Sequence, residues 1–453
     1  MTAIRVFLSA GLLFSMVCVG FAQSLTARDW LDYRGAETGH SYFENRATAN
    51  LMWDNFSAGV VYWAREPSRY NYATASDTAF SAIVQYWANF YTKNLELTAG
   101  SFTYAMGKGL LVDLYEREDI QIDHHCDGAL FKFHRGHLRI SGFNALARWD
   151  NNSIVRGIAP EISVWKFKIG GEYAKIIPQL SASQELTGGY LSLETDLLSI
   201  YGEYGRKKPL GGLEKEGRGI YASLGVYTDI VQLSLEYKDY EDFAIRNAYS
   251  QYNNPPTLIP EPSYTLPSRH LRRVNLTDER GWMAELMGEI EPFGGEIVYA
   301  HAENHDGENT FDQIISEIEY QKYAETDILA KFVLDFQREN DENNIVPIVD
   351  ITYEPSWTQF GFNFITEFQK SGDYSNIYST LAASYPRYGT VGLEGGSIED
   401  ETFVRAFADV DYFERVKIRL GYGKRPGGFT CSGGVCRYEP AFKGAELQII
   451  ITY

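Results

Sequence analysis

The sequence is poor in several things, and each shortage closes a class of answer. Beyond the N-terminal segment, no stretch of this 453-residue chain holds the ~18 to 20 uncharged apolar residues of a membrane helix, so a helical membrane protein is excluded. Basic residues are outnumbered, 41 Lys and Arg against 60 Asp and Glu for a net charge of −19. Binding a polyanion needs a basic face, so no nucleic-acid partner is expected. Gly-x-Ser-x-Gly, His-Glu-x-x-His and P-loop signatures are missing, and Gly107-Lys108-Gly109 is two glycines of a much longer fingerprint. No catalytic residues, no cofactor and no enzyme activity are therefore expected. Cysteine is scarce, at 4, and so is Met, at 6.

What the chain has instead is aromatic. Tyr, Phe and Trp number 32, 26 and 8, and Gly at 41 outnumbers Pro at 15, which is a β composition. Apolar residues at 44% exceed what a disordered chain carries.

The first residues read as an export signal. Arg5 gives a positive start, Val6 to Val19 an apolar run, and Gly20-Phe21-Ala22 small residues where a signal peptidase cuts, so residues 1–22 are expected to be removed. A lipoprotein acylated at Cys18 is the rival, but Ser15-Met16-Val17 lacks the Leu and small residue of such a signal. Export leaves Cys126, Cys431 and Cys436 in an oxidising compartment. The last two, in Cys-Ser-Gly-Gly-Val-Cys, are expected to form a disulfide; a zinc site would need two further ligands, and no His lies near.

From about residue 42 to the end, segments of ten to thirteen residues alternate apolar and polar at every second position. Thr358, Phe360, Phe362, Phe364, Thr366 and Phe368 oppose Gln359, Gly361, Asn363, Glu367 and Gln369. Val231, Leu233, Leu235 and Tyr237 oppose Gln232, Ser234, Glu236 and Lys238, and Val416, Ile418, Leu420 and Tyr422 oppose Lys417, Arg419, Gly421 and Gly423. Ala330, Phe332, Leu334 and Phe336 likewise oppose Lys331, Asp335 and Gln337. A soluble sandwich also alternates, so three observations decide. Soluble strands average about five or six residues, whereas a tilted strand crossing a membrane needs about nine to eleven. Aromatics gather at segment ends, as at Trp149, Tyr240, Trp357, Tyr385, Tyr412 and Tyr453, where an interfacial girdle belongs.

The order of the connections is the strongest sign. Short ones (413–415, 386–388, 355–356, 291–292, 228–229) alternate with a mostly longer set (425–440, 399–401, 340–342, 305–310, 241–278, 208–216, 178–186). Up-and-down strands put alternate turns on opposite rims, and bacterial outer-membrane barrels have short periplasmic turns and long outer loops. Lipid offers no hydrogen bonds, so such a sheet must close. Twenty-three segments is an odd count, so either Ser24 to Arg34, within 23–41, holds one more strand or a doubtful segment such as 128–134 is none, and the expectation is an all-β fold, a single closed antiparallel transmembrane β-barrel of 22 to 24 strands over 42–453. Loops 105–127, 241–278 and 425–440 are the long ones, and 105–127 is the candidate for an inward constriction. Pro160 and Pro347 inside strands predict bulges or boundary errors, and a change of face between Ile140 and Phe143 predicts a β-bulge at Gly142.

The final segment sets Ala445, Leu447, Ile449, Ile451 and Tyr453 on one face and resembles the signal read by the outer-membrane barrel-assembly machinery. The stretch from Arg425 through Cys431-Ser-Gly-Gly-Val-Cys436 to Ala441, together with Gly107-Lys-Gly-Leu-Leu-Val-Asp-Leu-Tyr115-Glu, resembles a porin-like outer-membrane family of unassigned substrate. The resemblance implies a closed barrel in outer-membrane lipid without catalytic residues, and supplies no cargo.

Asp123-His124-His125-Cys126-Asp127 is the densest cluster of ligand types, yet neighbours on an extended chain point to opposite faces and share a metal poorly, so no metal is expected. Asp306-Gly307-Glu308-Asn309 lacks the spacing of a calcium loop. The residues singled out lie on polar faces and are expected to line a lumen: Glu236, Lys331, Asp335, Glu367, Arg405, Asp409, Asp411, Lys417 and Arg419. They serve either to pair across the lumen and hold the barrel or to select solutes. The leading functional expectation is a diffusion channel for small hydrophilic solutes that prefers cations. The alternative is a structural or surface-binding barrel, a receptor, adhesin or envelope-assembly subunit, with 241–278 as its contact surface.

Overall fold

The computed structural model describes residues 24–39, 41–66, 80–118, 120, 122–179, 181–211, 215–245, 251–260, 263–268, 275–322, 326–340, 342–372, 374–412, 415–432 and 435–453. The expected export signal, Cys18 and Pro262 lie outside these residues, as do the side chains of Cys431 and Cys436.

Twenty-four antiparallel strands form one sheet, each bonded to its sequence neighbour. The first, Ser24–Thr38, pairs with the last, Phe442–Thr452, from Arg28 opposite Thr452 to Ala36 opposite Gly444, so the sheet has no free edge. Barrel strands run from 8 residues (Leu95–Phe102) to 15 (Ser24–Thr38), and all but that shortest one reach the roughly nine to eleven residues of a tilted membrane crossing. Closure follows from the solvent: an open edge in hydrocarbon would leave each backbone N–H and C=O without a partner at several kcal/mol apiece.

One face of every ribbon looks outward. In Gly361–Ser371 the rings of Phe362, Phe364 and Phe368 are exposed, while Glu367 and Gln369 are buried. Val404, Val410 and Tyr412 are exposed along Glu401–Tyr412, and Phe403 is turned in. Trp357, Tyr412 and Tyr453 are exposed at strand ends. Trp149 and Tyr240 are not part of that girdle. Trp149 stacks on His124 inside the barrel, and buried Tyr240 donates its hydroxyl to the Pro256 carbonyl at 3.0 Å. The first described residue, Ser24, the C-terminal Tyr453 and two- to five-residue turns such as 136–137 and 291–292 share one rim; the other carries the connections 103–125, 242–277 and 426–441.

Three local expectations are corrected. Gly142 pairs with Phe131 and with Ile158 in unbroken register, so there is no bulge. The face changes its chemistry instead: Phe143, Ala145 and Ala147 point inward and are buried against interior loops, which is why the inside of this wall is apolar. At Pro160 the ladder to Phe167–Ile177 lapses between Ile158 and Glu161 and resumes in the same register. Pro347 does the same between Ile345 and Ile348. A missing N–H costs rungs on one side without shifting the strand.

Candidate functional site: an interior plug and the wall around it

Two loops from the long-loop rim fold into the lumen and join. In the first, 103–125, a tight turn places Gly107 at φ +54° and Gly109 at φ +83°, both in the left-handed region. A Cβ on Gly107 would also fall 2.4 Å from Glu203 Oε1. The turn presents Leu110, Leu111 and Val112, all fully buried. The second, 242–277, lies against it. Asp113 N–H donates to the Tyr252 carbonyl at 2.8 Å, and Asn254 N–H to the Gly109 carbonyl at 3.1 Å. Asn253, fully buried, locks the pair: its Nδ2 donates to the carbonyls of Leu110 (3.1 Å) and Phe243 (3.2 Å), and its Oδ1 accepts from Ile245 N–H (3.0 Å).

Wall residues are shaped to receive this plug. Inward-facing Gly188, Gly205 and Gly219 on three adjacent strands leave a trough for Leu111, Leu110 and Phe243; a Cβ on Gly205 would sit 2.7 Å from both Leu111 and Phe243. Lys207 Nζ reaches the Ala244 carbonyl at 3.0 Å, and Lys238, buried in an ion pair with Glu279, donates to the Thr257 carbonyl at 2.5 Å. Another sector holds the far end. The helical turn Thr265–Ser268 inserts Leu266 among Val333, Val346, Ile348, Ile398 and Phe403. Glu367 accepts the turn's free amides, Thr265 N–H at 3.1 Å and Leu266 N–H at 2.6 Å. The first loop also ties to the opening strands: Arg46 pairs with Glu116, Arg28 with Glu118 at 3.0 Å, and Gln85 Nε2 donates to Asp123 at 3.0 Å.

The Asp123 to Asp127 cluster is internally committed. His125 Nδ1 lies 2.6 Å from Asp123 Oδ1, while the His124 ring stacks on Trp149 with centroids 4.4 Å apart. The two imidazoles therefore serve different neighbours. Burial pushes the His124 imidazolium down to about 4, against a smaller pull from Asp123. Burial also acts on His125, but the bond to Asp123 and the charges of Asp123, Asp127 and Glu116 outweigh it and raise its pKa.

The nine polar-face residues fall into three settings. Glu367, 1% exposed, caps the plug's helical turn, and Asp335, also 1% exposed, accepts from Gln313 (3.0 Å) and Gln337 (2.8 Å). Glu236 accepts the Tyr221 hydroxyl at 2.7 Å, and Lys331 bridges Glu317 (2.8 Å) and Glu319 (2.7 Å). The remaining five share one sector. Arg405 joins Glu394 (2.8 Å) and Glu446 (3.0 Å), Arg419 joins Asp409 (2.8 Å), and Lys417 joins Asp411 (4.0 Å). Glu394 with Arg405, Asp409 with Arg419 and Asp411 with Lys417 are rungs of adjacent strands, so these charges pair along the wall rather than across the lumen. Arg405, Asp409 and Arg419, with Glu394, Arg425 and Glu446, line a half-open cavity of about 260 Å³.

Sequence reasoning passed over a second cavity. Beneath the plug, toward the short-turn rim, lies a chamber of about 820 Å³ bounded by Tyr104, Lys108, Glu161, Glu172, Tyr190 and Tyr201 among others. Strict alternation held the signal: Phe167, Ile169 and Tyr173 are exposed, which turns Glu172 inward.

Comparison with solved structures shows the architecture. A chain of the E. coli P pilus tip assembly intermediate PapC-PapD-PapK-PapG superposes with a TM-score of 0.60 at 8% identity, over 95% of this chain and 61% of that one. This chain thus spans less than two thirds of that protein's length. The P pilus usher (PapC) translocation pore gives a TM-score of 0.54 at 6% identity, over 94% of this chain and 99% of that one. Pseudomonas aeruginosa OccK5 (OpdH) gives 0.40 at 13% identity, over 80% and 98%. No curated protein matches. Large closed barrel and lipid-facing exterior together make this an outer-membrane protein. Residues 35–297 and 402–453, more than half of the chain and including both plug-forming loops, match the group described as Family of unknown function (DUF6029), and the chain belongs to that family.

Proposed function

We propose that the protein is a plugged outer-membrane channel for small hydrophilic solutes, in which the joined loops 103–125 and 242–277 restrict the lumen. The observation that carries this reading is the way the plug is held. Besides its apolar seats, in the glycine trough, against Phe143 and Ala145 and around Leu266, it is fastened to the wall by a few polar contacts, above all Glu367 on two backbone amides and Lys207 and Lys238 on two carbonyls. Each of these charge-assisted contacts contributes about 1.5 to 3 kcal/mol net and involves groups that water can satisfy instead, which suits an element released as a unit. Beside the plug, the Arg405–Asp409–Arg419 sector offers a charged, water-accessible face. The acidic balance of the chain supports a preference for cations.

The surface-binding alternative rested on 241–278 as an outer contact surface. Burial of Phe243, Ile245, Tyr252 and Leu266 inside the barrel weighs against it. Export by cleavage after Ala22, insertion by the barrel-assembly machinery reading the last strand, and a disulfide between Cys431 and Cys436 belong to the same proposal. The last is supported by a hairpin in which these two residues stand opposite one another.

The test is a planar bilayer recording of the purified protein with KCl, and with a larger organic salt in its place. Discrete current steps that depend on cation identity are expected. Silence over many verified insertions, at all voltages, refutes the channel.

A further inference from the structure

The chamber beneath the plug contains a group that its surroundings leave without a partner. Glu172 is 6% exposed, and neither of its carboxylate oxygens has a hydrogen-bond partner. Its neighbours are already committed: Tyr190 donates its hydroxyl to Glu161 at 2.5 Å, Tyr201 to Glu203 at 2.6 Å and Tyr221 to Glu236 at 2.7 Å. Glu203 adds a second demand, since its Oε2 takes the Lys108 N–H at 2.9 Å while its Oε1 is buried without a partner. A buried carboxylate left in this state is costly, and a native structure that keeps one has a use for it.

The walls state what kind of use. Tyr190 and Tyr201 stack at 5.8 Å and Tyr201 and Tyr221 follow at 6.0 Å, a row of rings along three adjacent strands. One ammonium already rests there: Lys108 Nζ, at the tip of the plug, lies 5.5 Å from the centroid of the Tyr201 ring. Ring faces attract cations, and a carboxylate beside them fixes where the positive end goes. At about 820 Å³ the chamber is of small-molecule size, and it opens toward the short-turn rim. Lys132 pairs with Glu96 at 3.0 Å, Lys168 with Glu194 at 3.6 Å and Arg139 with Glu161 at 3.5 Å, whereas the Glu172 carboxyl has no such partner.

From this geometry we infer that the chamber binds a protonated organic amine, its ammonium directed to Glu172 and its apolar body against the tyrosine row. The inference names a substrate class for the proposed channel, and rests on that reading only in placing the chamber on a solute route. Detergent-solubilised full-length protein is titrated with phenethylammonium, neutral 2-phenylethanol and anionic 3-phenylpropionate, with binding followed by calorimetry. Expected are amine binding at least about tenfold tighter than the alcohol, the ratio one charge-assisted hydrogen bond supplies, and no binding of the anion. Glu172→Gln should lower the amine's affinity about tenfold and leave the alcohol's unchanged. Lys108→Met, which removes the resident ammonium, should raise amine affinity. Equal affinities for amine and alcohol on the native protein overturn the inference without recourse to any variant, as does unchanged amine affinity in Glu172→Gln. Because binding is read without a bilayer, a barrel that conducts but ignores amines sinks only this site, and one that binds amines but never conducts sinks only the channel.

Discussion

Removing the amide of Asn253 should open the plug. Its fully buried side chain makes three hydrogen bonds, one across to Leu110 of the other loop and two, with Phe243 and Ile245, that hold the shape of its own loop. Asn253→Ala deletes all three. At a net ~1 kcal/mol each, the docked state loses about 3 kcal/mol relative to an undocked one in which the second loop also gives up this shape and water satisfies the same groups. With ~1.4 kcal/mol per factor of ten, the docked-to-undocked ratio falls about a hundredfold. The barrel should not change, because no rung of the 24-stranded sheet involves Asn253. Resistance of the folded band to SDS at increasing temperature verifies that. In bilayer recordings the variant should then show larger or longer openings than the parent. If conductance and open time match the parent while the loops remain protected from protease, the two loops are not a releasable unit and the gating argument fails.

Other consequences are read by simpler assays. Glu367→Gln withdraws the negative charge that holds the amides of Thr265 and Leu266, and should make the 242–277 loop more sensitive to limited proteolysis without unfolding the barrel. Lys238→Met leaves Glu279 charged and buried, and should destabilise the fold by about 3 to 5 kcal/mol in urea titrations; the double change with Glu279→Leu should recover most of that loss. Phe364→Arg, on the lipid face, should cost about 2 to 4 kcal/mol in bilayers, and an unchanged unfolding midpoint would contradict the outward orientation of that face. The two plug histidines give opposite pH slopes. His124 has its folded pKa pushed from the ordinary 6.5 down to about 4 by burial, so its contribution is present above 6.5 and lost as pH falls toward 4; His124→Phe should flatten that acid limb in melting curves. His125, raised overall despite its burial by Asp123, Asp127 and Glu116, adds stability below its unfolded pKa that is lost as pH rises through the folded one, and His125→Gln should remove that limb.

Particular residues show how far the sequence could be read. Alternation in 357–370 separates Phe362, Phe364 and Phe368 from Glu367 and Gln369, and the structure exposes the first set and buries the second. Because that pattern is local, it survives any arrangement of the rest of the chain. Phe143, Ala145 and Ala147 misled for a non-local reason: they are apolar on an inward face because Leu110, Leu111 and Phe243 dock nearby. Trp149 and Tyr240 misled in the same way, as aromatic strand ends that serve the plug rather than the membrane interface. Polar-face residues were legible as inward-facing, yet their partners were not. Nothing near Glu367 in the chain announces that it caps a turn one hundred residues away, or that Glu172 faces a tyrosine row.

The amino-acid order alone determined a closed, lipid-facing barrel. Period-two alternation repeated over membrane-length segments, in a solvent that cannot satisfy a free strand edge, leaves no other arrangement. Only the tertiary structure decided that the lumen is occupied, which inward charges remain open to water, and where a carboxylate stands unpaired. Those outcomes depend on contacts between loops and strands far apart in the chain, and a sequence pattern records which way a side chain points without recording what waits on the other side.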